Sequence, residues 1–109
     1  MPDRRARIRN LNDKFRTTLD GGRVVVDERV NKLGPALVAK VLTAVRDFDQ
    51  WDQGNDPLET HDFGMFDVDE HQLVFMITYL DMRTDARSTD LSNPNITTRV
   101  LTISMYEEV

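Results

Sequence analysis

Residues 73–80 form an almost unbroken apolar run, Leu73-Val74-Phe75-Met76-Ile77-Thr78-Tyr79-Leu80. In a β-strand successive side chains point to opposite faces, so the odd-numbered residues of this run share one face and the even-numbered residues share the other. Both sets are apolar apart from one threonine. A strand that is apolar on both faces is typical of the interior of a sheet. We therefore predict that residues 72–81 form a central strand and the most buried element of the fold.

Other strands are predicted on either side of this one. Residues 61–68 come before it and are separated from it by Asp69-Glu70-His71, a loop of hairpin length. Residues 98–106 follow it after a long polar segment, 82–96, and long polar segments are typically mobile or functional. The short β-branched run 23–26 indicates a further strand, which we expect at an edge of the sheet.

Two amphipathic helices are predicted from apolar residues that recur three and four positions apart. The first begins after Asp3, a suitable N-cap, and ends at the Gly21-Gly22 pair. The second begins at Pro35, extends for about sixteen residues and frays before the turn-forming residues 53–57. A turn or short helix is expected over 28–33. The apolar positions are Ile8, Leu11, Phe15 and Leu19 in the first helix and Leu37, Val38, Val41, Leu42, Val45 and Phe48 in the second.

The resulting order, α-β-α-β-β-β, predicts an α+β fold in which two helices pack on one face of a three- to four-stranded antiparallel sheet. A length of 109 residues predicts a single domain over 1–109. With no cysteine there is no disulfide or thiolate metal site, and we predict no cofactor. Without an apolar run of roughly eighteen residues or a secretory signal, we expect a soluble, cytoplasmic protein that does not enter a membrane. Exposed strand edges and a small core are compatible with a homodimer.

Charge is distributed unevenly along the chain, whose formal net charge is −5. Residues 1–46 contain eleven Lys or Arg and five Asp or Glu, whereas residues 47–109 contain three and fourteen. Nine of these acids fall between Asp47 and Glu70 with no Lys or Arg among them. Either the arginines of the first helix neutralise this segment, or its carboxylates serve a cation site, an acid/base site or a basic partner. Nucleic acid is disfavoured as a partner, because the chain is acidic and no aromatic residue interleaves the N-terminal arginines.

The densest cluster of chemically reactive side chains is Asn55-Asp56-Pro57 followed by His61-Asp62-Phe63-Gly64. A histidine held by a carboxylate can act as a general base or as a metal ligand. Because neighbouring residues of a regular strand face opposite ways, Asp56 or Asp81 is a better partner for His61 than Asp62 is. The alternative is that the carboxylates of this cluster cap turns and that the histidine bonds a backbone carbonyl. The spacing of acids and histidines fits neither an EF-hand nor a zinc site, so no metal site is predicted.

Six motifs follow one another along the chain: Ile8-Arg9-Asn10-Leu11-Asn12-Asp13-Lys14-Phe15-Arg16, Phe48-Asp49, Asn55-Asp56-Pro57, His61-Asp62-Phe63-Gly64, Tyr79-Leu80-Asp81 and Thr98-Arg99-Val100-Leu101-Thr102-Ile103. Together and in this order they resemble the bacterial domain of unknown function 3768 family, which is marked by an HDFG motif. The resemblance covers nearly the whole chain and implies an accessory protein of bacterial chromosomes or mobile elements, with no assigned activity. Thr60 stands where the family usually has Glu, and Met76 and Thr78 stand where it usually has Lys and Asp. Fewer polar groups therefore surround the motif, which weakens an enzymatic interpretation.

The first functional hypothesis is a small acidic intracellular module, an inhibitor or regulator encoded by a mobile element, that binds a basic protein partner. Binding is expected through residues 47–62 and the 82–96 segment. Trp51 is included because it lies outside the apolar stripe of the second helix. The residues expected to bind are Asp47, Asp49, Trp51, Asp52 and Glu59.

The second hypothesis is a small acid/base or cation-assisted hydrolase. His61 would act as the base, Asp56 and Asp62 would hold a cation or orient the imidazole, and Arg99 would bind an anionic substrate. This hypothesis requires the four side chains to converge around one cleft.

Overall fold

The computed structural model describes residues 3–106, which contain three helices and four strands. In chain order these are α1 (Arg4–Thr18), β1 (Gly22–Val26), α2 (Glu28–Asn31), α3 (Pro35–Arg46), β2 (Phe63–Val68), β3 (His71–Asp81) and β4 (Thr97–Met105). The α+β class is therefore confirmed. The turn or short helix expected over 28–33 is a helix of one turn, α2, whose N-terminus is capped by the Asp27 side chain. The fold therefore has three helices and not the two that were predicted to pack on the sheet. The element order becomes α-β-α-α-β-β-β.

The four strands form one mixed sheet in the spatial order β1-β4-β3-β2. β3 pairs antiparallel with both β2 and β4, which confirms the predicted central strand. β1 lies at an edge, as expected, but it runs parallel to β4, with Val24 opposite Leu101. The prediction of a purely antiparallel sheet is therefore wrong. Nothing local in the valine run of β1 specifies its neighbour or its direction, because parallel and antiparallel ladders accept the same side chains.

The helices cover only one face of the sheet. On β3, Leu73, Phe75, Ile77 and Tyr79 are at most 5% exposed, whereas Met76 on the opposite face is 45% exposed. The covered face packs against buried apolar residues of α1, α2 and α3, so the prediction of helices on one face is confirmed. The expectation that both faces of β3 are buried is wrong, since Met76 and Thr78 on the second face are exposed.

Capping interactions set the ends of α1. Its N-cap is Asp3, as predicted, and the Asp3 carboxylate accepts a hydrogen bond of 2.7 Å from the Ala6 N–H. The helix ends before the predicted glycine pair, because Leu19 adopts a left-handed conformation with φ of 59°. The Leu19 N–H bonds the Phe15 carbonyl at 2.7 Å and closes the last turn.

α3 begins at Pro35, as predicted, but its 12 residues make it shorter than expected. The chain leaves the helix after Arg46, although the Phe48 ring still reaches the core. Among the helices of residues 3–106, none combines the length and apolar character that a membrane crossing needs.

The buried face of α1 contains two polar residues. Ile8 and Phe15 are buried as predicted, whereas Leu19 is 36% exposed. Asn12 and Arg16 are buried with the two apolar residues instead, at 0% and 4% exposure. Because buried polar groups need hydrogen-bond partners, these two residues point to polar contacts beneath α1.

Candidate functional site

The loop between α3 and β2 is held in shape by its own aspartates. Asp52 accepts hydrogen bonds from the backbone N–H groups of Gly54 and Asn55, at 2.8 and 2.9 Å. Asp56 accepts hydrogen bonds from the N–H groups of Thr60 and His61, at 3.0 and 2.9 Å. Such local bonds from an aspartate to following N–H groups are typical of tight turns.

This folding changes the position of His61. Glu59 and His61 have φ values of 56° and 58°, in the left-handed region that few residues other than glycine adopt. The strand predicted from residue 61 therefore begins only at Phe63. His61 and Asp62 are not constrained to opposite faces of a strand, because neither residue belongs to one.

The His61 ring is fixed by contacts on both nitrogens and on one face. Its Nδ1 lies 2.9 Å from Oδ1 of Asp13, and its Nε2 lies 3.5 Å from Oδ2 of Asp56. A carboxylate has no hydrogen to donate, so the hydrogen of the shorter bond is on Nδ1. The ring stacks on Trp51, with centroids 4.0 Å apart and an interplanar angle of 6°. The side chain of His61 is nevertheless 18% exposed.

Trp51 is held by the core and by α1. Its ring makes an edge contact with Phe48 at 4.7 Å between centroids. The Arg16 guanidinium carbon lies 5.0 Å from the centre of the Trp51 ring, within the range of a cation–π contact. Arg16 also donates hydrogen bonds to Asp13, at 3.0 Å, and to the Val45 carbonyl, at 3.1 Å. Burial lowers the pKa of Arg16, and the nearby Asp13 carboxylate opposes that change.

These side chains lie beside a pocket of about 640 Å³, which we call the Trp51 pocket. Three carboxylates and one guanidinium line it. The Arg9 guanidinium is bonded to the backbone carbonyl of Glu59 at 3.1 Å. The lining residues are Arg9, Trp51, Asp52, Gln53, Asp56, Pro57, Glu59 and His61.

The arginines of α1 do not neutralise the acidic segment. Within residues 3–106, no ion pair joins an α1 arginine to an acid of residues 47–70, although Arg4 pairs with Asp90 and Arg16 with Asp13. Exposed pairs from elsewhere hold Asp47 and Asp69. The hydrogen bond from Arg46 lowers the pKa of Asp47. Five exposed acids of the segment have no cationic partner among these residues: Asp49, Asp52, Glu59, Asp67 and Glu70.

A second polar group, the α1 clasp, consists of Asn12, Asp62, Tyr79 and Arg99 and is enclosed beneath α1. Asn12 Nδ2 donates to the Thr60 carbonyl at 2.9 Å and to the Tyr79 hydroxyl at 2.8 Å. That hydroxyl donates to Asp62 Oδ2 at 2.9 Å. Arg99 Nε donates to Asn12 Oδ1 at 2.7 Å. The clasp therefore connects α1, β3 and β4 with the loop that precedes β2.

The Arg99 guanidinium of the clasp lies in a poorly hydrated place. Arg99 is 3% exposed, and its guanidinium also donates to the Leu91 carbonyl and stacks over the Tyr79 ring at 5.3 Å. Burial lowers the pKa of Arg99. Burial and the adjacent Asp62 carboxylate raise the pKa of Tyr79, so its phenol remains protonated. In residues 3–106 no fully buried side-chain nitrogen or oxygen lacks a hydrogen-bond partner.

The structure groups the sequence-predicted site residues in three places. His61 and Asp56 meet in the Trp51 pocket together with three of the predicted binding residues, Trp51, Asp52 and Glu59. Asp62 and Arg99 lie in the α1 clasp. The remaining two residues, Asp47 and Asp49, line a neighbouring recess beside Phe66 and Asp67.

Three of the site residues that were missed in the sequence lie on α1 and organise the site. Asp13 is the carboxylate closest to His61, Arg16 contacts Trp51, and Asn12 organises the clasp. A signal for two of them is present, because residues 8, 12, 15 and 16 share one helical face. No local pattern connects Asp13 to His61, which is 48 positions away.

Metal binding has little basis in this geometry. Across residues 3–106, no three His, Asp or Glu side chains are grouped so that they could hold a metal ion. His61 lies near two carboxylates, but Asp56 already uses one oxygen to bond the backbone N–H groups of Thr60 and His61.

The fold and site define a small α+β protein with helices on one face of a mixed sheet and an acidic, aromatic pocket at the loop before β2. Residues 26–108 match the family described as Protein of unknown function (DUF3768), and the chain belongs to that family. The match leaves out α1, which supplies Asn12, Asp13 and Arg16. Searches of curated proteins and of solved structures give no match.

Proposed function

We propose that this protein is an acidic interaction module that binds a basic protein partner through the Trp51 pocket and its rim, as an inhibitor or regulator of that partner. One observation carries the proposal. The exposed carboxylates of Asp52 and Glu59 line a pocket beside an aromatic stack, and no cation within residues 3–106 pairs with them. Uncompensated carboxylates at a surface favour association with a positively charged partner.

The chemistry of the pocket suits an arginine side chain. A guanidinium group can donate two hydrogen bonds to one carboxylate and can stack on an aromatic ring. The partly exposed Trp51–His61 stack offers aromatic surface, and Asp52 and Glu59 offer carboxylates. Arg9 does not block this use of Glu59, because it bonds the backbone carbonyl of that residue.

The aromatic part of the pocket is organised before any partner arrives. Trp51 contacts Phe48, Arg16 and the His61 ring, and His61 is bonded to Asp13. A preorganised site loses less conformational entropy on binding than a flexible one. We therefore expect the pocket to change little in shape when a basic side chain enters.

A hexa-arginine peptide tests the proposal directly. Trp51 is the single tryptophan of the chain, so its fluorescence reports on the pocket. We expect the peptide to change this emission with saturation and to bind more weakly as salt is added. Asp52→Asn and Glu59→Gln should each weaken binding about 1.5- to 5-fold, the range for exposed ion pairs.

Asp20→Asn is the matched control, because Asp20 is exposed and lies far along the chain in the α1–β1 turn. It removes the same net charge and should leave binding nearly unchanged. Equal weakening by all three variants would mean that the peptide responds to net charge, and absence of binding at low salt would contradict the proposal.

The hydrolase hypothesis retains one favourable observation. The bond to Asp13 places the hydrogen of His61 on Nδ1, so Nε2 of a neutral ring can accept a proton beside the pocket. Asp62 and Arg99, however, lie in the clasp and not in this pocket. This hypothesis would be favoured if the wild type hydrolyses chromogenic esters and both His61→Asn and Asp13→Asn lose that activity. Absence of turnover across such substrates would contradict it.

A further inference from the structure

A second cleft lies on the other side of the loop that borders the Trp51 pocket. Residues 59 and 61 line the Trp51 pocket, whereas residues 58, 60 and 62 line this cleft, together with parts of α1 and β3. Its volume is about 560 Å³, which is within the usual range of small-molecule sites. We call it the α1–β3 cleft.

The cleft exposes apolar side chains. Leu58 is 64% exposed and Met76 is 45% exposed, and both line the cleft with the partly buried Phe63. Ile8 and Ile77, both buried, also line the cleft. Several apolar side chains that converge on one depression are typical of a ligand site, whereas scattered ones need no explanation.

Three arginines surround this apolar surface. Arg4 is occupied by Asp90, at 3.3 Å. Arg5 and Arg87 are exposed and line the cleft, and neither bonds a carboxylate within residues 3–106. The one acid in the lining, Asp62, accepts a hydrogen bond from Tyr79. Asp62 keeps its negative charge, but Arg5 and Arg87 outnumber it, so the net charge at the cleft is positive, in contrast to the Trp51 pocket.

We propose that the α1–β3 cleft binds a small amphipathic carboxylate, whose apolar chain lies on Leu58, Phe63 and Met76 and whose carboxylate is held by Arg5 and Arg87. An arginine pair recognises a carboxylate through charge-assisted hydrogen bonds. Methionine adapts its shape to different apolar groups, so Met76 suits an unbranched chain. The proposal is independent of the partner at the Trp51 pocket.

The proposal can be tested with straight-chain carboxylates from hexanoate to decanoate. Each is used below the concentration at which it forms micelles. Binding is measured by calorimetry and by the NMR signal of the Met76 methyl group. Affinity should rise about two- to fourfold for each added methylene, because each buries apolar surface. The neutral amide decanamide should bind about tenfold more weakly than decanoate, because it lacks the charge.

Variants locate the site. Arg5→Gln and Arg87→Gln should each weaken decanoate binding by about three- to tenfold, and Met76→Gln should weaken it and flatten the dependence on chain length. Arg7→Gln is the matched control, because Arg7 is exposed on the same helix and does not line the cleft. Its affinity should equal that of the wild type.

Three results would overturn the proposal. They are no saturable binding of decanoate, an affinity that does not depend on chain length, and equal weakening by Arg7→Gln and Arg5→Gln. Saturable binding of an acidic leucine-rich peptide in place of decanoate would also overturn it and would assign the cleft to a protein partner.

Discussion

The α1 clasp and the Trp51 pocket contain the same kinds of side chain but differ in their partners. In the clasp, Arg99 and Asn12 are at most 3% exposed and each is bonded within the fold. In the pocket, Asp52 and Glu59 are exposed and pair with no cation of residues 3–106. Polar groups that are buried and fully bonded specify and stabilise a fold, whereas solvated and unpaired charges are available to a ligand. We therefore expect substitutions in the clasp to change stability and substitutions at the pocket rim to change binding.

The largest effect is expected for Asn12→Ala. It removes the acceptor of Arg99 Nε and the donor to Thr60 and Tyr79, so buried polar groups lose their partners. The free energy of unfolding should fall by about 2–4 kcal/mol, and the melting temperature by more than about 8 °C. Urea and thermal unfolding measure both quantities.

Asn10→Ala is the control for this substitution, because Asn10 is exposed on the same helix. Its effect should stay within about 0.5 kcal/mol. Equal stability of the two variants would contradict the conclusion that the clasp stabilises the fold.

The next effect concerns the glycine of the HDFG motif. A Cβ on Gly64 would lie 2.8 Å from two ring carbons of Phe48 and would also collide with the ring of Phe75. These rings pack edge to face at 5.2 Å between centroids. Gly64→Ala should therefore lower the free energy of unfolding, measured with urea, by about 1–3 kcal/mol.

A second background sharpens the interpretation of Gly64. In a Phe48→Leu protein one of the two rings is absent, so the added cost of Gly64→Ala should be smaller than in the wild type. An unchanged cost in that background would show that contact with the Phe48 ring is not the reason for glycine at this position.

The third effect appears in alkaline solution. The pKa of Tyr79 is raised by burial and by Asp62, so the unfolded chain loses this proton at a lower pH than the folded one does. The stabilisation is fully present below the ordinary pKa of 10 and is lost as the pH rises above it. The loss due to this group approaches about 1.4 kcal/mol per pH unit.

Tyr79→Phe should reduce the loss of unfolding free energy in alkaline solution. At neutral pH it should lower the free energy of unfolding by about 1 kcal/mol, because Asn12 and Asp62 each lose a hydrogen-bond partner. Tyr106→Phe, which removes the other tyrosine of the chain, is the control. The free energy of unfolding of the wild type and of both variants is measured between about pH 8 and about pH 11. Identical pH profiles for Tyr79→Phe and the wild type would contradict the assignment.

The smallest effect on stability is expected at the rim of the Trp51 pocket. Asp52→Asn keeps a side-chain oxygen for the turn at Gly54, and Glu59→Gln changes an exposed group. Both should leave the free energy of unfolding within about 0.5 kcal/mol of the wild type while weakening hexa-arginine binding. A large loss of stability in either variant would place that residue with the clasp.

Much of the fold follows from patterns that short stretches carry. Alternating residues identify β3, Asp3 and Pro35 mark where two helices begin, and the HDFG segment marks the loop that enters β2. The site was predicted less completely. Asp56 or Asp81 was predicted as the carboxylate beside His61, and Asp56 lies 3.5 Å from its Nε2. The shorter bond from His61 to Asp13 depends on how α1 packs against a loop that is 48 residues away.

The sequence by itself determined the helices and strands, the central position of β3 and the segregation of acidic from basic residues, because these properties depend on residue type and on spacing over a few positions. The parallel pairing of β1 with β4, the open second face of the sheet and the left-handed backbone of His61 were decided only in the tertiary structure. The first two depend on contacts between segments that are far apart in the chain, and the His61 side chain is bonded to Asp13, 48 positions away. Such contacts form where they bury the most apolar surface and satisfy the most polar groups, and no short stretch contains that information.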